Sequence, residues 1–243
     1  MPDSLILKKE SFGYSFPSWE RKGARAFFTT KPLDFRFGRA DRSRMFSALS
    51  VNAGRFVCPD QVHGTRVVLA GPQQAGAGSR TRRDAVRATD ALMTTDVSLY
   101  LSVLTADCLP VFVFDPQEKA VAMIHAGWKG LKKGILSKTI EAMNRRKGSA
   151  AASLMVILGP CIRSCCYEVG REFLGHFPGF VHTRGTSLFM DLAGRARSEI
   201  LGCGVRDNRI FDSRLCTCCS PDFHSFRREG EEAGRCLSAV VLL

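Results

Sequence analysis

The chain has 243 residues, of which 45% are hydrophobic and 24% charged, proportions that are ordinary for a globular protein. A chain of this length can bury a substantial core by itself, which excludes the small secreted scaffolds that depend on disulfides. The formal net charge of +12 lies in scattered basic clusters without a nucleic-acid motif. We therefore expect most of it on a solvated surface and do not expect a nucleic-acid partner.

The N-terminal residues and the cysteines bear on where the protein works. The opening MPDSLILKKESFGY lacks the basic start and the apolar stretch of a secretory signal, and no apolar run reaches the length of a membrane span. The ten cysteines include adjacent pairs and lack the spacing of a disulfide framework. We expect a cytoplasmic protein without a membrane partner, its cysteines being free thiols or metal ligands.

Apolar and β-branched runs predict strands along most of the chain. In chain order, the predicted strands cover residues 24–29, 56–58, 65–70, 99–104, 111–114, 120–124, 154–158 and 238–243. Helices are predicted at about 43–49, 131–144, 167–177 and 191–201, and the small residues and arginines of 71–88 predict an exposed or partly disordered excursion. Strands and helices alternate without a linker, which predicts a single α/β domain over residues 1–243.

Three segments place a metal-binding side chain at the edge of a predicted strand. These are QVHG with His63, ADCLP with Cys108 and HAGW with His125. Strand edges are where α/β scaffolds expose catalytic groups. Two imidazoles and one thiolate suit zinc, and three protein ligands leave a fourth position for water or substrate. Residue type alone also allows structural histidines and a packed thiol.

The other cysteines allow more than one interpretation. Cysteines of the first group either pack in the core as thiols or line a pocket; they are Cys161, Cys165 and Cys166. The second group could form another zinc site, although its spacing matches no standard zinc finger, and comprises Cys216, Cys218 and Cys219 with His224.

Four strings carry a resemblance to a known family. They are TADCLPVFVFDP, VAMIHAGWKGLKKGI, LGPCIRSCCYEVG and CTCCSPDFHSFRREGEEAGR, in that order along the chain. Together they closely resemble the laccase-domain family of purine nucleoside phosphorylases, also labelled polyphenol oxidase and peptidoglycan-editing factor. The resemblance implies a mixed β-sheet core flanked by helices, with a cysteine-hydrolase-like (cytotoxic necrotizing factor-like) topology. It also implies a zinc ion held by His63, Cys108 and His125.

The resemblance further implies an activity and its substrates. The expected reaction is phosphorolysis of adenosine, inosine, guanosine or methylthioadenosine, with deamination of adenosine beside it, so a purine nucleoside and phosphate are the expected partners. Asp107, Cys108 and His125 are the expected catalytic residues, although Asp107 would serve equally well as a loop cap. The expected substrate-binding residues are Gln61, Lys129, Arg227 and Arg228. Lys129 stands where the family usually has arginine, and a lysine lacks the planar fork that holds phosphate at two points.

Three other functions remain open from the sequence. An amidase acting on peptidoglycan precursors would use the same zinc, or Cys108 as nucleophile with His125 as base. A copper polyphenol oxidase would use one cysteine and two histidines at copper, but five histidines are too few for a four-copper laccase. A basic RNA- or partner-binding protein without activity would show salt-dependent binding.

Overall fold

The computed structural model describes residues 7–38, 42–148 and 150–243, which form two six-stranded sheets and a smaller third sheet. The strands are β1 Lys8–Glu10, β2 Gly13–Ser15, β3 Ala24–Thr29, β4 Phe56–Val57, β5 Val67–Leu69, β6 Ala91–Thr94, β7 Tyr100–Thr105, β8 Leu109–Asp115, β9 Ala120–Ala126, β10 Met155–Leu158, β11 Glu168–Val169, β12 Val181–Arg184, β13 Ser187–Met190, β14 Ile210–Asp212 and β15 Cys236–Leu242. The α-helices are α1 Pro17–Glu20, α2 Arg42–Ser47, α3 Trp128–Lys132, α4 Ile135–Lys147, α5 Glu172–His176, α6 Leu192–Gly202 and α7 Phe226–Glu229.

The strand order is mixed in both large sheets. The first sheet runs β1-β2-β3-β15-β7-β4 and the second β14-β10-β8-β9-β6-β5, while β11-β13-β12 form the third. In the first sheet β15 is antiparallel to both β3 and β7, whereas β4 is parallel to β7. In the second sheet β8 and β9 form an antiparallel hairpin of seven residue pairs. The fold is therefore mixed α/β, as the sequence predicts.

Side chains alternate between two cores along the central strands of the second sheet, as the period of a strand requires. On β8, Val111 and Val113 pack with Leu136 of α4, whereas Phe112 and Phe114 belong to the core between the two large sheets. This alternation fixes the strand register, because a slip of one residue would exchange the two faces.

The first sheet divides its side chains in the same way. Phe28 of β3 and Val240 of β15 face the core between the sheets, while Phe27 and Ala239 pack with Phe46 of α2 on the outer face. The layers therefore run helix, sheet, sheet, helix, each helix layer covering one outer face. Among the described residues, no helix is long and apolar enough to cross a membrane.

Two predicted helices are shorter than the sequence pattern indicated. The helix predicted at 131–144 is divided into α3 and α4, because Gly134 adopts a left-handed conformation with φ of 74° between them. The helix predicted at 167–177 is reduced to α5, since Glu168 and Val169 pair with β13. Apolar spacing indicated the correct buried faces but not these breaks.

The exposed loop predicted for residues 71–88 is present, since most of these residues are exposed and lie outside any strand. The segment nevertheless folds against the chain at the end of β4 through backbone hydrogen bonds. The Cys58 amide donates to the Ala77 carbonyl at 2.8 Å, and the Val86 amide donates to the Cys58 carbonyl at 3.1 Å. Ser79 is only 3% exposed. The buried guanidinium of Arg42 donates to the carbonyl of Ser79 at 3.1 Å, so the segment supplies acceptors that a buried cation requires.

Candidate metal centre and active site

The three predicted metal ligands come from different connections but meet at one edge of the two large sheets. His63 lies in the loop between β4 and β5, and Cys108 lies in the short loop between β7 and β8. His125 is the next-to-last residue of β9. The β8–β9 register places Pro110 opposite His125, which brings Cys108 beside that imidazole. The structure therefore assembles the three residues that the sequence singled out.

The ligand atoms of His63, Cys108 and His125 all lie within 4.8 Å of one another. The Cys108 Sγ is 3.7 Å from His63 Nε2, and the two imidazole centroids are 4.8 Å apart at an angle of 76°. His125 is 3% exposed, whereas Cys108 is half-buried. This donor set and spacing make the cluster a possible metal site.

Asp90, at the start of β6, fixes the orientation of this cluster and was not singled out by the sequence analysis. Its carboxylate accepts the Nδ1–H of His125 at 2.8 Å, which leaves Nε2 of that ring as the ligand atom. The same carboxylate accepts the backbone N–H groups of Val62, His63 and Gly64 at 3.2, 2.9 and 2.7 Å. His63 has a φ of 58°, and these hydrogen bonds hold it in that uncommon conformation.

Electrostatics favour a thiolate at Cys108. Burial raises the pKa of this thiol, but the charge on His125 and the hydrogen bonds from His125 and His63 outweigh burial and lower the pKa to about 6. Burial lowers the pKa of His125, but the Cys108 thiolate and Asp90 outweigh it and raise the pKa to about 9. An ionised sulfur is the form that ligates metals.

Asp107 is buried and its carboxylate is already bonded on both oxygens. Thr217 Oγ donates to Oδ1 at 2.6 Å, while Ser225 Oγ and the Arg227 amide donate to Oδ2 at 3.1 and 2.7 Å. Its φ of 89° lies in the left-handed region, and the Ile162 amide donates to its carbonyl at 2.9 Å. These contacts join the Cys108 loop to the C-terminal segment.

A cavity of about 700 Å³ is lined in part by His63, Cys108 and His125. Its volume is within the usual range for small-molecule sites. Its lining includes four aromatic side chains, namely Phe37, Trp128, Tyr167 and Phe226. It also includes four arginines, namely Arg36, Arg82, Arg227 and Arg235. The cavity can therefore contact both a planar apolar group and an anion.

Gln61 and Lys129, both predicted to bind substrate, make contacts within the protein. Both ends of the Gln61 amide are hydrogen-bonded to Leu104, through Nε2 to its carbonyl and Oε1 to its amide, each at 2.8 Å. Gln61 lines the cavity, but its amide pairs the His63 loop with β7. Lys129 is exposed and outside the cavity lining, with Nζ 5.5 Å from the centroid of the Trp128 indole.

The two adjacent arginines of α7 differ in what they contact. Arg227 lines the cavity, where its guanidinium donates to the Glu168 carbonyl at 2.9 Å and lies 5.5 Å from the Tyr167 ring centroid. Arg228 instead donates from one nitrogen to the carbonyls of Thr217, Cys218 and Ser220. Arg228 thus holds a loop together, and only Arg227 of this pair faces the cavity.

The comparisons with known proteins fit this geometry. A family profile described as multi-copper polyphenol oxidoreductase laccase matches residues 38–243, which is most of the chain. The chain belongs to this family. The resemblance carried by the four sequence strings is confirmed.

Two relatives of this chain carry the name purine nucleoside phosphorylase. A purine nucleoside phosphorylase of Bacteroides thetaiotaomicron is 32% identical over 214 residues, covering 84% of this chain and 79% of the relative. Purine nucleoside phosphorylase YlmD of Bacillus subtilis is 29% identical over 194 residues, covering 76% of this chain and 70% of the relative.

Solved structures of the family share the whole fold. YlmD from Geobacillus stearothermophilus superposes with a TM-score of 0.91 at 26% identity, covering 98% of each chain. The hypothetical protein YfiH of Bacillus licheniformis gives a TM-score of 0.88 at 26% identity, covering 100% of this chain and 98% of that one. The mixed α/β architecture is thus common to these proteins, while a cytotoxic necrotizing factor-like topology stays a prediction.

Proposed function

We propose that the chain is a zinc-dependent purine nucleoside phosphorylase that also deaminates adenosine. The observation that carries this proposal is that the His63, Cys108 and His125 cluster lines the same cavity as aromatic rings and arginines. Relatives named purine nucleoside phosphorylase support the same reaction. The cytoplasmic location stays a prediction.

The donor set fits zinc. Two imidazoles and a thiolate are ligands that this ion accepts at catalytic sites, and Asp90 supplies the carboxylate–histidine support that such sites commonly have. When bound, the ion would supply Lewis acidity and an open coordination position facing the cavity. Asp90 holds the His125 proton on Nδ1, so Nε2 is kept available as a ligand.

Phosphorolysis requires an oxygen of phosphate to form a bond to C1′ of the ribose while the bond from C1′ to the purine nitrogen breaks. The electron pair of that bond leaves with the purine, which then takes up a proton. We assign Arg227 to the phosphate, and its present partners, a carbonyl oxygen and an aromatic ring, support this assignment. In the part of the chain that the structure describes, no carboxylate pairs with it, so its charge remains available to an anion.

Aromatic side chains supply the surface for the purine. Trp128 is half-buried against Phe173 at a centroid distance of 5.1 Å, and its other surface lines the cavity with Tyr167. Stacking of a base on such rings is worth about 1–3 kcal/mol. We assign Asp107 to positioning, because its two oxygens are occupied by three donors; proton transfer by Asp107 is the alternative prediction.

The test is to purify the protein, measure its metal content, and incubate it with adenosine or inosine in the presence and absence of phosphate. We expect zinc, release of adenine or hypoxanthine that depends on phosphate, and formation of inosine from adenosine without phosphate. Cys108→Ala should lose all of these activities. Copper in place of zinc would favour the oxidase, and zinc without turnover of any purine nucleoside would contradict the proposal and favour the amidase.

The same assay tests the role of Arg227. Arg227→Ala should raise the KM for phosphate by about 10- to 100-fold, the equivalent of one charge-assisted hydrogen bond, and leave inosine formation from adenosine nearly unchanged. The matched control is Arg145→Ala, which removes an exposed arginine of α4 paired with Glu141. An unchanged KM for phosphate in Arg227→Ala would remove this arginine from the phosphate site.

A further inference from the structure

Four cysteine thiols outside the cavity form a second cluster. Cys165 and Cys166 lie in the loop before β11, and Cys216 and Cys219 lie in the loop after β14. Their sulfur atoms all lie within 4.8 Å of one another. The second zinc site considered from the sequence is therefore wrong in its partners, because His224 instead bonds the Leu33 carbonyl at 3.0 Å.

The sulfur positions match a tetrahedral metal site. Zinc–sulfur bonds of about 2.3 Å in a tetrahedron place the sulfurs about 3.8 Å apart. The Cys219 sulfur lies 3.4 Å from that of Cys165 and 3.2 Å from that of Cys166. Shifts of a few tenths of an ångström would open these distances to the tetrahedral value. Cys165 and Cys219 are exposed, so an ion can enter from solvent.

Backbone contacts prepare Cys216 to carry charge. Burial raises the pKa of this thiol, but the backbone N–H groups of Cys219 and Arg163, the Cys165 thiol and the Cys218 N–H outweigh it and lower the pKa. Cys216 and Cys219 have a C-x-x-C spacing, and the Ser220 amide donates to the Cys216 carbonyl at 3.1 Å. N–H donors directed at sulfur are the support that metal-bound thiolates receive in proteins.

Two of the other thiols, Cys165 and Cys166, have raised pKa values. Burial and the neighbouring sulfurs of Cys219 and Cys216 raise the pKa of Cys165 to about 11. Burial and the sulfurs of Cys219 and Cys165 raise the pKa of Cys166 as well. Four sulfurs this close repel one another once charged, and a divalent cation between them removes that repulsion.

We propose that Cys165, Cys166, Cys216 and Cys219 bind a structural Zn²⁺ ion, separate from the metal of the cavity. Four thiolates close the coordination sphere, so this ion has no position for substrate. Neither pair of cysteines lies in a helix or strand, since one segment is the loop between β10 and β11 and the other is the loop between β14 and α7.

The proposed ion would fix one wall of the cavity. Tyr167, which lines the cavity, follows Cys166 directly in sequence. Thr217, between the two cysteines of the second loop, donates its hydroxyl to Asp107 at 2.6 Å. The guanidinium of Arg228 holds the same loop through the carbonyls of Thr217 and Cys218. Loss of the ion would therefore loosen both cysteine-containing loops, which lie beside the cavity and Asp107.

The experiment counts zinc in the full chain purified under reducing conditions. We expect about two zinc ions per wild-type chain, and about one in the double variant His63→Ala/Cys108→Ala as well as in Cys165→Ser/Cys216→Ser. Cys203→Ser, which changes a half-buried thiol at the end of α6, is the matched control and should keep both ions. Growth with cobalt should give His63→Ala/Cys108→Ala an intense thiolate-to-cobalt absorption that Cys216→Ser removes.

Three results would overturn the proposal. One is a wild-type chain with a single zinc that His63→Ala/Cys108→Ala loses. Another is an intact mass lower by two hydrogens per disulfide, which would show that the four cysteines are paired covalently. The third is iron or copper, not zinc, retained by His63→Ala/Cys108→Ala. Should Cys165→Ser/Cys216→Ser fail to fold, the metal count and cobalt spectrum of the other double variant still decide.

Discussion

Asp90 is the residue through which the two histidine ligands are held in one arrangement. It accepts hydrogen bonds from the His125 ring and from the backbone of the His63 loop, and it is 0% exposed. Burial raises the pKa of this carboxyl, but the hydrogen bonds from His125 and the Gly64 amide outweigh it and lower the pKa. Asp90 is thus a buried anion that links two candidate metal ligands, His63 and His125, which are 62 residues apart.

Asp90→Asn should weaken metal binding at the cavity by about 10- to 100-fold, the usual effect of losing support behind a metal-binding histidine. Asparagine offers one carbonyl oxygen and an NH₂ group, so it cannot accept all four of these hydrogen bonds. Competition with a coloured chelator measures the affinity. Asp96→Asn, which makes the same change at a carboxylate that caps a turn at Ser98, should bind metal as the wild type does, and equal affinity in both variants would contradict the role of Asp90.

The sequence could predict the ligands but not their support. His63, Cys108 and His125 stand next to predicted strands, which made them candidates, and the resemblance to the laccase-domain family implied them together as zinc ligands. Asp90 carries no such signal, since an aspartate before an apolar strand is common at turns. The different contacts of Arg227 and Arg228 depend on where a four-residue helix points its side chains, which adjacent identical residues cannot reveal.

At the scale of elements, the connection from β9 to α3 has no room for a side chain at Gly127. Gly127 caps α3 with a φ of −74°, a conformation that other residues adopt readily. A Cβ added there would lie 2.8 Å from Cδ2 of His63 and 3.1 Å from the sulfur of Cys108. The glycine of the HAGW segment therefore leaves room for the metal ligands.

Gly127→Ala should displace His63 or Cys108 and lower metal affinity by at least about tenfold, with a parallel loss of turnover. Gly175→Ala is the control, because a Cβ at that position in α5 meets nothing within 4 Å. Isothermal titration of zinc into the metal-free proteins compares the two. Wild-type affinity in Gly127→Ala would show that the ligands tolerate the methyl group.

Strands and helices could be predicted from the sequence where the burial of one face determines the pattern of apolar residues. The alternating apolar residues of β8 and β9 and the apolar face of α4 follow directly from the two cores that they fill. Breaks depended on local conformation instead, as at Gly134, whose φ of 74° ends one helix before the next begins. The folding of residues 71–88 depends on Arg42, almost 30 residues earlier, which no local pattern contains.

At the scale of the whole molecule, Glu229 ties the two ends of the described chain together. It accepts a hydrogen bond from Lys31 Nζ at 2.6 Å, in the loop after β3, and one from Arg228 at 2.6 Å. Burial raises the pKa of Glu229, but the hydrogen bonds and charges of Lys31 and Arg228 outweigh it and lower the pKa to about 2. The ionised form therefore stabilises the folded state.

The sign of this shift predicts a pH dependence. The stabilisation should be complete above the unfolded-state pKa of 4.5 and disappear as the pH falls through about 2. Glu229→Gln should lower the free energy of unfolding by roughly 1 kcal/mol at pH 7, with the difference shrinking below pH 4.5. Urea unfolding at pH 3 to 7 measures it. Glu231→Gln, at an exposed neighbour, should change little, and a difference independent of pH would contradict the ion pair.

The central position of β15 affects how the protein can be made in the cell. Val240 of β15 pairs with Ala26 of β3, about 210 residues earlier, and with Leu101 of β7. A ribosome adds roughly 5–20 residues per second, so on the order of 10–40 s pass between synthesis of β3 and of the strand that covers its edge. During translation one edge of β3 and one edge of β7 therefore stay without their partner strand, and the nascent chain must be kept from associating with others until residue 242 has emerged.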